Sequence, residues 1–253
     1  MAQTTTLLVA HGTRNPHGVR MIGDLAATMA GVLDETVRVA FVDVLGPTPD
    51  EVLRILHDEP TVLVPALLSS GYHVRSDVPR HVAASGHSAV TVTPALGPSS
   101  ELTRALLDRL LEAGWRPDDH VVLAAAGTSD RHAQSEIATA AAMLSALVGS
   151  RVSIAFAAPC RDGSGYPSVP EVVARVRRTA GRRVAVASYL LADGLFQGRL
   201  HKSGADVVAA PLGSHSAVIR LACLRRRHAG VLAAAASAEP AVPVGQADSS
   251  PRR

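Results

Sequence analysis

Short apolar runs recur along the chain, each ending in a turn-forming break and giving way to a longer amphipathic stretch. In the first part the runs are Thr5–Ala10, Val37–Val42, Thr61–Pro65 and Ala89–Thr93. They are near-continuously apolar, as strands covered on both faces require. Helical patterns fill the gaps over Pro16–Leu33, Pro49–His57, Asp77–Ser85 and Ser99–Ala113. Asn15 is a candidate N-cap, with Pro16 at the first helical position. Ser99-Ser100-Glu101 opens the last helix and Gly114 closes it. This alternation predicts an α/β fold of parallel sheets with right-handed crossovers. Such folds bind ligands beyond the carboxyl ends of their strands.

The same pattern then starts again. His120–Ala125 followed by Ala126-Gly127-Thr128 repeats Thr5–Ala10 followed by His11-Gly12-Thr13. Val152–Phe156 falls on Val37–Phe41, and Pro167–Val172 resembles Pro47–Val52. Val184–Ala187 with Leu190-Leu191-Ala192-Asp193-Gly194 answers Val62–Pro65 with Leu67-Leu68-Ser69-Ser70-Gly71. Leu212-Gly213 answers Leu96-Gly97. Matches in one order over so long a stretch indicate an internal duplication. The expected organisation is two doubly wound halves, residues 1–115 and 116–231, with the boundary near Trp115–Asp119 and a ligand cleft between them. Residues 232–253 are Ala-, Ser- and Pro-rich and are expected to form a disordered tail.

Composition narrows the chemistry. With 253 residues, 47% of them hydrophobic and 19% charged, the chain has the makings of a packed core. No apolar run approaches the roughly 18 residues of a membrane span. Met1–Thr6 lacks the basic start of a signal peptide. Two cysteines, Cys160 and Cys223, give no disulfide framework and no cysteine cluster for zinc or iron–sulfur, and a reduced, cytoplasmic setting fits. A net charge of +3 and 3% aromatics argue against a nucleic-acid partner. Only Lys202 among the 25 basic residues is a lysine; the arginines suit either a solvated surface or an acidic small molecule.

The 11 histidines carry most of the remaining information. His11 directly follows the first strand, and Gly12 lets the chain turn away. His73 lies just past the third strand, and Asp43 ends the second. Read singly, each is an ordinary loop or cap residue. Together they place three metal-capable side chains at the carboxyl ends of three strands of one half. Neutral imidazole binds divalent iron, cobalt, nickel or zinc, and accepts protons near neutrality. Two histidines and one carboxylate leave coordination positions open for a substrate. In the second half the corresponding residues are Ala126, Phe196 and Ala158, although the surrounding framework persists. One working half and one lid-like half is the economical reading. His17, His57, His81, His87, His120, His132, His201, His215 and His228 show no matching spacing. Cys223 reads as a core residue, and Cys160 lies in a loop insertion, Pro159–Pro167.

Leu7-Leu8-Val9-Ala10-His11-Gly12-Thr13-Arg14, together with Val64-Pro65-Ala66-Leu67-Leu68-Ser69-Ser70-Gly71-Tyr72-His73-Val74-Arg75-Ser76-Asp77-Val78-Pro79, resembles the sirohydrochlorin chelatases of siroheme and cobalamin biosynthesis. The resemblance covers about residues 5–230. It implies two flavodoxin-like halves around a tetrapyrrole cleft, and ATP-independent insertion of Fe²⁺ or Co²⁺, with iron favoured. Metal is then a substrate, and no organic cofactor is implied. The resemblance makes His11 and His73 the metal-binding, proton-accepting pair. Asp43 falls where the family usually has glutamate, as a third metal ligand one methylene shorter. Sirohydrochlorin carries eight carboxylates, so Arg14 and Arg75 are candidate substrate contacts, with Ser69, Ser70 and Tyr72 lining the cleft. The helix start at Thr13–Asn15 is a further candidate for a carboxylate. A monomer is expected, since one chain supplies both halves. The alternatives are a tetrapyrrole or metal carrier without turnover, and a chelatase for another tetrapyrrole such as coproporphyrin.

Overall fold

The computed structural model describes residues 4–57, 59–160 and 164–238. It contains two four-stranded, all-parallel sheets. The first comprises β1 (Thr5–Ala10), β2 (Val37–Phe41), β3 (Thr61–Pro65) and β4 (Val90–Val92) in the order β2-β1-β3-β4. The second comprises β5 (His120–Ala125), β6 (Ser153–Phe156), β7 (Val184–Tyr189) and β8 (Val207–Val208) in the order β6-β5-β7-β8. The duplication read from the sequence is therefore a duplication of topology. Register agrees too: Val9 pairs with Pro65 in one sheet, and Ala124 with Ser188 in the other.

The central strands β1, β3 and β7 are buried at every position, which explains their apolar runs. Successive side chains serve opposite faces. Leu7, Val9 and Leu63 face an outer cluster completed by Val52 and Leu53 of α2 (Pro49–Ile55), Leu56 just after it and Val78 of α3 (Val78–Ser85). Leu8, Ala10, Val62 and Val64 face an inner cluster that runs without interruption into the second sheet through Leu123, Ala125, Ala185 and Ala187. On the far side of that sheet, α6 (Val169–Ala180) and α7 (Leu195–His201) build a third cluster.

Local signals set the helix boundaries. Asn15 caps α1 (Pro16–Leu33), its side chain accepting the His17 N–H at 3.0 Å. Ser99 does the same for α4 (Ser100–Glu112), accepting from Leu102. Asp130 caps α5 (Arg131–Val148). Three differences from the expected elements matter. Residues His73–Asp77, expected to be loop up to the helix start at Asp77, form a π-helical turn that runs into α3. The last helix, α8 (Ser216–Ala238), continues through residues 232–238, which were expected to be tail; the rest of that tail lies outside the described residues. Of the insertion holding Cys160, residues 161–163 also lie outside them.

The third difference concerns the halves themselves. α4 ends the first repeat in sequence, yet it packs on β7 and α5 of the second. In return α8 packs on β3, β4 and α1 of the first. Arg226 of α8 fixes this exchange by donating to Thr6 Oγ1 at 2.9 Å and to Glu35 Oε2 at 2.6 Å. The expected division at residue 115 thus describes the repeat but not the lobes, because each lobe borrows its final inner helix from the other repeat. Cys223 on α8 is buried, as expected. Among the described residues no helix is long and apolar enough to cross a membrane.

Candidate functional site

β1 sits between β2 and β3, and the chain leaves it first to one side and then to the other. In doubly wound sheets such a reversal, beyond the carboxyl ends of the strands on either side of it, is where ligands bind; here those strands are β1 and β3. His11 is the first residue after β1. The turn that follows needs glycine: Gly12 has φ +102, and a Cβ there would lie 2.1 Å from the Asp43 carbonyl oxygen. His73 opens the π-helical turn after β3. The two imidazoles meet edge to face, with ring centroids 4.6 Å apart and an interplanar angle of 85°.

Each ring has one nitrogen occupied. His73 Nδ1 lies 2.7 Å from Asp77 Oδ2, and His11 Nδ1 lies 3.2 Å from the Gly12 carbonyl oxygen. A carbonyl oxygen and an ionised carboxylate only accept, so in the neutral rings these two contacts select the form with hydrogen on Nδ1. Each Nε2 is left with a lone pair for a metal ion or a proton. Asp77 is buried, and its other oxygen accepts from Arg80 Nη2 at 2.6 Å.

Asp43 does not join the pair. Its side chain is exposed and turns back on its own backbone, Oδ1 accepting the Val44 N–H at 2.7 Å. Among the described residues no group of three or more His, Cys, Asp or Glu side chains is placed to hold a metal ion. The expected three-ligand set is therefore a two-histidine set in this structure. A local turn hydrogen bond has claimed the shorter carboxylate.

The other expected residues divide similarly. Tyr72 is 60% exposed and its ring centroid lies 6.1 Å from that of His73. Arg14 is exposed and makes no ion pair among the described residues. Thr13 Oγ1 accepts the Asn15 N–H. Ser69 and Ser70 are half-buried, and the Ser70 N–H donates to Glu136 Oε2 of α5 at 2.5 Å. Arg75, a candidate substrate contact, is ion-paired with Asp130 of the second lobe. Burial acts most strongly on the Asp130 carboxyl and raises its pKa. The hydrogen bonds from Arg75 and the Ala133 and His132 amides outweigh it and hold that pKa below the ordinary value.

The second lobe thus braces the loop that carries His73. Tyr189 of β7 donates its hydroxyl hydrogen to the Leu68 carbonyl at 2.8 Å, and burial with the charge of Glu136 pushes its pKa above the usual range. Reciprocally, a Cβ at Gly194 would lie 2.9 Å from Thr13 Oγ1 in the first lobe. At the position matching His73, Phe196 packs into the outer cluster of the second lobe. Sequence reading assigned no role to Asp77, Asp130, Glu136 or Tyr189. For Asp77 the signal was present, a carboxylate one helical turn after His73. For the others none exists, because their partners are remote in sequence.

A family model described as CbiX matches residues 5–113 and again 120–229. No curated relative matches the sequence. SirB from Bacillus subtilis with Fe³⁺ is similar in structure, with TM-score 0.77 and 20% identity over 92% of this chain and 98% of that one. The sirohydrochlorin chelatase SirB from Bacillus subtilis subspecies spizizenii, in complex with cobalt, gives TM-score 0.71 and 20% identity over 90% and 95%. CbiX, the terminal enzyme for biosynthesis of siroheme in denitrifying bacteria, gives TM-score 0.65 and 20% identity over 88% and 98%. At such identities the solved structures speak for the fold, and the family model speaks for the lineage. The chain belongs to the CbiX family, the chelatase family its two histidine motifs resemble, and it carries that family's unit twice.

Proposed function

We propose that this protein is an ATP-independent chelatase that inserts a divalent metal into sirohydrochlorin, with Fe²⁺ the favoured metal and Co²⁺ close behind. The observation that carries this reading is the pair of imidazoles, His11 and His73, 4.6 Å apart at the carboxyl ends of β1 and β3 in a chain of the CbiX family. Insertion replaces two pyrrole N–H protons with one metal ion. The two Nε2 lone pairs hold the incoming ion from one side, then accept the protons that leave the ring and pass them to water. With only two protein ligands the ion keeps positions open for the pyrrole nitrogens. Binding between the lobes holds the macrocycle bent, so that a nitrogen lone pair faces the ion. Tyr72 and Ser70 line this space, and Arg14 meets a rim carboxylate. Arg75 reaches a second carboxylate by exchanging it for Asp130. Asp43 acts, in this reading, outside direct ligation. Free Cys160 and Cys223 support a reducing, cytoplasmic setting, and a single chain that supplies both lobes supports a monomer.

The test is anaerobic absorption spectroscopy of sirohydrochlorin with the protein and Fe²⁺ or, separately, Co²⁺. Insertion far faster than without protein is expected, with the faster metal marking the cognate one. His11→Ala and His73→Ala should each abolish insertion while leaving the thermal melt intact. Near-normal turnover in either variant would overturn the site. Binding without acceleration by either metal would leave a tetrapyrrole carrier.

A further inference from the structure

We infer that Asp77 is a positioning residue for metal insertion. It fixes the ring of His73 in its Nδ1–H form and so aims Nε2 at the metal. This rests on the reading of His73 as a metal-binding residue. Asp77 acts through the ring: one of its oxygens meets His73 and the other Arg80.

The geometry is specific. Asp77 Oδ2 lies 2.7 Å from His73 Nδ1, and Asp77 Oδ1 accepts from Arg80 Nη2 at 2.6 Å. Both oxygens are thereby held, and the residue is only 5% exposed. Burying a carboxylate is costly unless it is paired and hydrogen-bonded. Here the pairing converges on one imidazole. The π-helical turn His73–Asp77, closed by the Val78 N–H on the His73 carbonyl, puts the two side chains on the same side of the backbone. Single π turns inserted in helices recur at functional sites.

The duplication supplies an independent control. Val9 pairs with Pro65 and Ala124 with Ser188, so residues after β3 map onto residues after β7 by that register. His73, Asp77 and Arg80 then correspond to Phe196, Leu200 and Ser203. Leu200 is fully buried in α7 and packs in the outer cluster. The second lobe thus folds with an apolar residue at this position. A carboxylate is not what the architecture needs there, and it disappears together with the histidine. The consequence for chemistry is an inequality within the pair. Among the described residues His11 Nδ1 meets its neighbour's carbonyl at 3.2 Å, whereas His73 is held by a carboxylate, which fixes its tautomer and raises the donor strength of Nε2.

The experiment compares wild type, Asp77→Ala, Asp77→Asn and His73→Ala. Co²⁺ affinity is measured on the protein without tetrapyrrole, and kcat and KM are measured for insertion. The tautomer of His73 is read by long-range ¹H–¹⁵N correlation of its ring. For Asp77→Ala the expected result is Co²⁺ binding weaker by about 10- to 100-fold, the range found when partners of metal-binding histidines are removed. A matching fall in kcat, little change in KM for the tetrapyrrole, and a shift of His73 toward the Nε2–H form should accompany it. Asp77→Asn keeps the shape and an acceptor, so a smaller loss is expected; it carries the test where the alanine variant does not fold. Wild-type Co²⁺ affinity or an unchanged tautomer in Asp77→Ala overturns the proposal, and where that variant does not fold, wild-type Co²⁺ affinity in Asp77→Asn overturns it. Loss of insertion in His73→Ala without loss in Asp77→Ala overturns it alone. Normal insertion in His73→Ala overturns the reading of the site, and this inference with it.

Discussion

Replacing Gly12 by alanine puts a methyl group where the structure has no room for one. The new Cβ would stand 2.1 Å from the Asp43 carbonyl oxygen, a backbone atom that cannot rotate away. Gly12 also has φ +102, a conformation that L residues adopt reluctantly. A left-handed backbone costs about 1–2 kcal/mol for a residue with a Cβ. Forcing one extra carbon into a packed site typically costs about 1–3 kcal/mol more. The sum is a loss of about 2–5 kcal/mol, a large part of the roughly 5–15 kcal/mol that stabilises an ordinary domain. The relief must come from the β1 and β2 ends moving apart, and His11 moves with them. A displacement of about 1 Å at such a site is enough for about a 100-fold loss of rate.

Gly127 provides the comparison. It has φ +128, and its Cβ would lie 2.1 Å from the Ala158 carbonyl oxygen, so the strain is the same in the lobe without the histidines. Urea denaturation of Gly12→Ala and Gly127→Ala should show similar losses of stability. Metal insertion per folded molecule should collapse only in Gly12→Ala. Gly23→Ala, on the exposed face of α1 with nothing within 4 Å, should instead stabilise by about 0.5–1 kcal/mol. A Gly12→Ala loss below about 1 kcal/mol would refute the steric reasoning, since even the backbone term alone reaches that. Equal loss of insertion in both variants would refute the assignment of the site to the first lobe.

Two further outcomes are expected. Tyr189→Phe removes the hydroxyl that reaches the half-buried Leu68 carbonyl from β7, and should cost about 0.5–1.5 kcal/mol in urea titrations, the net worth of an ordinary hydrogen bond; no change would mean that the lobes are not braced there. Asp50, held by Thr48, with smaller help from His81 and Arg54 and burial opposing, has its pKa lowered from 3.8 to about 2. A lowered folded-state value means stabilisation that is complete above the unfolded value and fades as pH falls toward the folded one. The stability gap between wild type and Asp50→Asn should therefore be constant near neutrality and close between about pH 4 and pH 2; a gap that persists below pH 2 would refute the assignment.

Sequence reading located β1, β3 and α1 because each is specified locally. The apolar runs need cover on both faces, and Asn15-Pro16 starts a helix whatever lies around it. It located His11 and His73 because each sits a fixed, short distance after a strand, and the strand order of a doubly wound sheet does the rest. Their absence from the second repeat is what makes the first lobe the candidate for the site. The fate of Asp43 was not legible, since a carboxylate at a strand end serves equally as ligand or turn acceptor. In this structure its Oδ1 accepts the Val44 N–H. Arg75 was not legible either: its partner Asp130 lies 55 residues away, and opposite charges so far apart in sequence give no sign that they meet.

The chain by itself therefore determined the α/β class, the duplication, the histidine pair and the family. These depend on hydrophobic period, turn residues and short spacings, all of which are local properties. Tertiary structure alone decided that α4 and α8 exchange lobes, that the His73 loop is braced by Tyr189, Glu136 and Asp130, and that His11 meets His73 while Asp43 turns back on its own backbone. The reason is that an amphipathic helix specifies only that its apolar face be covered. Which sheet covers it, and which remote carboxylate answers a given cation, is settled when the inner faces of both sheets close over one shared core.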